Sequence, residues 1–95
     1  MLYTFSLANY DRAELDGYFV AMNEQDAVLL WQDGVLLPIK YPQYFQRENF
    51  HYFALEQDIS ARNLTALLLK ESQVRLISLA DLVEITEQYF PQLAL

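Results

Sequence analysis

Apolar residues recur along this chain in two rhythms, one suited to strands and one to helices. Leu2 to Ser6 is β-rich and weakly alternating, and it predicts a first strand. Leu15, Tyr18, Phe19 and Met22 then fall at i, i+3, i+4 and i+7, one apolar helix face. Asn9 or Asp11 is placed to cap that helix. Asp11, Arg12, Glu14 and Asp16 lie outside the apolar stripe, and carboxylates near a helix start suit its dipole. Ala27 to Trp31 has no polar residue to turn outward, so it predicts a central strand covered on both faces.

Gln32-Asp33-Gly34 interrupts this run, and Gly34 is expected to permit the turn. A helix starting at Asp33 would hold Pro38 in its interior, where proline removes a hydrogen bond and clashes with the preceding turn. Residues 35–46 are therefore expected to form a short, kinked or late-starting helix, with another start near Tyr41 before Pro42. His51 to Leu55 predicts a third strand and Glu56 to Arg62 a short helix. Asn63 sits where a left-handed cap is expected. Leu64 to Leu69 is apolar, and Lys70 to Gln73 reads as a loop. Val74 to Ile77 predicts a fourth strand. Ser78 with Asp81 three residues on is a variant of the capping box. Leu79, Leu82, Val83, Thr86 and Phe90 mark the expected inner face of the helix that follows, which Pro91 ends. Strands alternating with helices imply right-handed crossovers. The expected fold class is α/β, a small three-layer domain with a mostly parallel four- to five-stranded sheet.

Ninety-five residues suit one domain, spanning 1–95, with no linker or internal repeat. The 54% hydrophobic content includes seven Tyr, so it is ordinary for a globular chain. A net charge of −7 argues against binding nucleic acid or anionic membranes. No stretch approaches the roughly 20 apolar residues of a membrane span, and the start lacks a basic region and an apolar signal segment. The expected location is cytoplasmic.

Candidate chemistry is sparse. The chain has no Cys and one His, which excludes disulfides and thiolate catalysis and argues against zinc. Its two glycines, Gly17 and Gly34, are too far apart for a phosphate cradle. No metal, cofactor or catalytic residue is expected. His51 lies at the mouth of a strand, opposite the ligand edge of open α/β sheets, which favours a structural role. Glu56 and Asp58 suit a helix start better than a catalytic pair. Asp33, at the carboxyl end of a central strand, either binds a ligand or satisfies the turn, and spacing favours the turn. Trp31 is either core or a contact anchor, and Leu36, Leu37 and Ile39 either core or interface. A non-catalytic subunit, a ligand-binding module and a weakly marked enzyme remain open.

The ordered motifs resemble the DsrH/TusB family nearly end to end. Met1-Leu2 and Thr4 fit the family's opening, with Tyr3 in place of its usual His. Leu29-Leu30-Trp31-Gln32-Asp33-Gly34-Val35 is similar to its Leu-Leu-Leu-Gln-Asp-Gly-Val. Ala54-Leu55, Asp58, Ala61-Arg62 and Leu64 are similar to Ala-Leu-x-x-Asp-Leu-x-Ala-Arg-Gly-Leu, with Asn63 replacing the glycine. Val83, Thr86, Gln92 and Ala94 match the closing segment, where Leu95 stands for the family's usual Trp. The resemblance implies a DsrEFH-like fold and a non-catalytic subunit of a cytosolic sulfur-relay complex. Its implied partners are TusC-like and TusD-like paralogues, in a heterotrimer dimerised to a heterohexamer. TusA-like and TusE-like proteins would be reached through the complex. The implied outcome is 2-thiolation of the tRNA wobble uridine; a DsrEFH-type sulfur-oxidation complex or a stand-alone small-ligand-binding module is the alternative. Trp31, Gln32, Asp33, Gly34, Val35, Asp58, Arg62, Thr86 and Leu95 are the family-motif residues and candidate interface.

Overall fold

The computed structural model describes residues 1–67 and 73–95. Five strands form one sheet: β1 (Leu2–Phe5), β2 (Ala27–Leu30), β3 (His51–Leu55), β4 (Val74–Ile77) and β5 (Gln92–Ala94), in the order β4-β3-β2-β1-β5. Every neighbouring pair is parallel, with Leu2 opposite both Ala27 and Gln92, and Tyr52 opposite Val74. The sheet is thus wholly parallel. The fifth strand comes from a segment whose pattern predicts only the end of a helix. β5 is short, polar at Gln92 and exposed, so it carries no strand signature of its own.

Helices among the described residues include α1 (Arg12–Ala21), α2 (Leu37–Lys40), α3 (Glu56–Ala61) and α4 (Leu79–Gln88). Asp11 caps α1 through its side chain, accepting from the Ala13 N–H at 3.2 Å. Short 3₁₀ segments at Gln32–Leu36 and Pro42–Phe45 flank α2. Pro38 sits in the first turn of α2 and Pro42 opens the second 3₁₀ segment, where no amide donor is needed. Asn63 is left-handed, with φ 55°, and its N–H reaches the Ser60 carbonyl at 3.1 Å. The expected apolar run at Leu64–Leu69 and loop at Lys70–Gln73 lie partly outside the described residues.

Strand order decides the layers. From β1 to β4 the chain steps along the sheet in one direction, then returns past β3, β2 and β1 to β5. A right-handed crossover made in the opposite direction puts its helix on the opposite face. One face accordingly carries α1, α2 and α3 over Tyr3, Phe5, Val28, Leu30, Tyr52 and Ala54. Rings dominate that core: Phe5 stacks on Phe19 at 5.8 Å, and Phe19 on Tyr44 at 5.0 Å. The other face carries α4 over Leu2, Ala27, Leu29 and Ile77.

The inner face of α4 differs from the predicted one. Ile85 is buried, with Leu82 and Tyr89 packed beside it, whereas Leu79 and Val83 are 55% and 58% exposed and Phe90 is 71% exposed. The apolar arc of α4 is wider than the contact the sheet offers. Periodicity located the arc but not the side of it that packs.

Candidate functional site

The carboxyl edge of the parallel sheet gathers the Gln32–Val35 motif with Asp58 and Arg62. β2 ends at Leu30, and the Trp31 N–H bonds to the carbonyl of Phe5 at 3.2 Å. The chain then turns on Gln32, whose φ of 52° is left-handed. A side chain in that conformation costs about 1–2 kcal/mol. Asp58 offsets part of it by accepting the Gln32 N–H at 2.8 Å. Arg62, one turn further along, donates to Asp33 Oδ1 at 2.8 Å and to the Asp58 carbonyl at 2.9 Å. Asp58 and Arg62 thus fasten α3 to the turn after β2.

Gly34 is needed for a reason other than the predicted one. Its φ is not positive. A Cβ there would instead lie 2.0 Å from the carbonyl oxygen of Phe5 and 2.6 Å from its carbon. The glycine lets the 3₁₀ segment lie directly on the end of β1. Val35 is fully buried behind it. Of the neighbours whose role the pattern left open, Leu37 is core, Leu36 is half-buried and Ile39 faces solvent.

The reversal of strand order falls between β1 and β5. Doubly wound sheets hold ligands in the crevice at the carboxyl ends of such a pair. Here the chain's own Tyr10 bridges that position. Its hydroxyl accepts from the Leu7 N–H at 3.3 Å and donates to the Leu95 carbonyl at 2.9 Å, while the Leu95 N–H bonds to Thr4. Tyr10 lies in an unpatterned loop, so nothing in the sequence pointed to this role.

Trp31 and Thr86 meet elsewhere. Both line a cavity of about 210 Å³ between α4 and the sheet, together with Leu2, Thr4, Leu29, Leu82, Gln92 and Ala94. The Thr86 hydroxyl donates to the Val83 carbonyl at 2.8 Å. The Trp31 indole N–H is sealed from solvent with no acceptor among the described residues.

Perturbed groups lie away from the Asp33–Asp58–Arg62 corner. Tyr44 is pushed up because its hydroxyl bonds to the Asp16 carboxylate and because it is buried. Burial raises Tyr3 and Tyr52. His51, exposed at the amino end of β3, packs its ring near Tyr89 at 6.0 Å. Among the described residues no group of carboxylates and imidazoles has metal-binding geometry, and no helix is long and apolar enough to cross a membrane. At the motif corner Asp33 and Asp58 are committed to Arg62 and to a backbone amide. Such an arrangement can hold a turn; it presents no base with an adjacent nucleophile.

Comparison with known proteins agrees with the motif order. The chain is 59% identical over 95 residues to an uncharacterized protein of Haemophilus influenzae, covering all of both chains. A family profile described as "DsrH like protein" matches residues 8–92. With residues 8–92 matched by that profile, the chain belongs to the DsrH-like family.

Proposed function

We propose that this chain is a TusB-type, non-catalytic subunit of a cytoplasmic sulfur-relay complex that supports 2-thiolation of the tRNA wobble uridine. The observation that carries the proposal is the complete lack of cysteine in a member of a sulfur-transfer family. A relay that moves persulfide sulfur needs a thiolate to hold it. This chain has none, so its part is to shape and cover partners that do. The Asp33–Arg62–Asp58 corner, whose contacts hold its own turn, fits that part. So does the net charge of −7, which leaves contact with tRNA to other subunits.

Co-expression tests this directly. A tagged chain produced with its TusC-like and TusD-like paralogues should elute with both as a heterohexamer. The complete complex, with TusA-like and TusE-like proteins, should restore 2-thiouridine in tRNA from cells lacking this chain. Elution of the tagged chain alone refutes the subunit role. A complex that forms while thiouridine is unaffected refutes the tRNA outcome and leaves sulfur oxidation.

A further inference from the structure

The cavity beside α4 and the exposed part of its apolar arc form one continuous surface. Leu82 and Thr86 line the cavity, and Leu79 and Val83 each stand one turn before one of them, at i and i+3 spacing. Leu79 and Val83 are more than half exposed, so the cavity opens onto an apolar lip. Its wall includes Trp31, whose indole N–H lacks an acceptor.

Charge selects the occupant. Glu87 follows Val83 by four residues and so stands beside the lip, on a chain of net charge −7, whereas Asp81 and Glu84 lie with Arg75 on the other flank of α4. A second copy would set Glu87 against Glu87 and one net charge of −7 against another. A chain with an apolar side chain framed by Lys or Arg would meet complementary charge.

We propose that the Leu79–Val83 lip and the Trp31–Thr86 cavity are a docking site for an apolar side chain on a basic surface of a different protein. Identifying that protein as a paralogous subunit rests on the proposed function; the surface itself is read from α4 and the cavity.

The test is titration of the purified TusC-like/TusD-like pair into the wild-type chain and variants. Leu79→Asp and Val83→Asp should each weaken binding at least about tenfold, as expected for the centre of an interface. Both positions are exposed, so circular dichroism should show an intact fold. Val20→Asp, on the 79% exposed position of α1, should leave binding unchanged. Raising salt from about 50 to about 300 mM should weaken wild-type binding, and Glu87→Lys should flatten that dependence. Trp31 is the only tryptophan, so a 5-fluorotryptophan-labelled chain gives one fluorine resonance, which should shift on adding the unlabelled pair. Wild-type binding with neither α4 variant impaired, or with the resonance unmoved, overturns the docking site and leaves the subunit role standing. Absence of wild-type binding overturns both. A homodimer of the isolated chain that Val83→Asp dissolves would show the occupant to be a second copy, and would overturn the basic partner.

Discussion

The chain's two glycines make opposite predictions for the same substitution. In Gly34→Ala the new methyl would lie 2.0 Å from the Phe5 carbonyl oxygen, where ordinary contact begins at 3.4 Å, so the backbone must separate by the difference, about 1.4 Å. The obstacle is backbone, and that same carbonyl accepts the Trp31 N–H at 3.2 Å, a bond such a retreat would break. Overpacking costs about 1–3 kcal/mol and the lost bond about 1 more, giving roughly 2–4 kcal/mol. A 95-residue domain has about 5–14 kcal/mol in total, so a large share of its stability is removed. At about 4–8 °C per kcal/mol, Tm should fall by roughly 8–30 °C. Gly17 is the internal control. It is exposed in α1, with nothing within 4 Å of an added Cβ. Gly17→Ala should stabilise by about 0.5–1 kcal/mol, because alanine loses less backbone freedom on entering a helix. Thermal unfolding of wild type and both variants by circular dichroism settles it. A Gly34→Ala variant melting within about 3 °C of wild type would refute the close approach to β1.

Other outcomes follow from the remaining contacts. Asp58→Ala removes the acceptor of the Gln32 N–H and should cost about 1–3 kcal/mol in urea unfolding. Arg62→Ala breaks two partly exposed ion pairs, to Asp33 at 2.8 Å and to Asp58 at 3.9 Å, and one carbonyl contact, and should cost about 1 kcal/mol or less; the reverse ranking would argue against Asp58 as the anchor of the turn. Ser78→Ala opens the capping box of α4 and should cost about 1 kcal/mol, seen as a lower Tm. Tyr3, Tyr44 and Tyr52 hold their protons more tightly folded than unfolded. The stability this supplies is complete below pH 10.0 and is lost as pH climbs through the raised folded values. In an alkaline titration part of the phenolate absorbance should therefore appear only as the circular dichroism is lost. Ionisation of all seven Tyr with the fold intact would contradict it.

Local signals made most of this architecture legible in the sequence. β3 and β4 run over the predicted residues, because each is a short, mostly apolar stretch between polar ones. The Ser78–Asp81 box and the left-handed Asn63 also stand as expected, since side-chain chemistry within a few residues determines both. Features set at long range were not legible. β5 exists because β1 offers it an edge, at Leu2 to Thr4. The role of Gly34 depends on Phe5, a residue in another strand. The inner side of α4 depends on where the sheet lies beneath it. At the candidate site the motif residues were named from sequence, but the tie from Arg62 to Asp33 spans 29 positions and carries no periodic trace. Tyr10 gave no signal because the partner that matters for the bridge, Leu95, is 85 positions away and meets it only through the fold.

The pairing of β1 with β5 bears on how the molecule is made. Thr4 lies opposite Ala94, and the Leu2 N–H bonds to the Pro91 carbonyl at 2.9 Å. A ribosome delivers β1 before the other four strands, and β5 only after α4. Throughout that interval one side of β1 has amides and carbonyls with no mate, next to the apolar Leu2, Tyr3 and Phe5. Nascent chains with such an open strand are prone to pair with the wrong neighbour. The Gln92–Ala94 segment therefore closes the lane beside β1, and a chain cut ahead of Gln92 would keep a sticky flank.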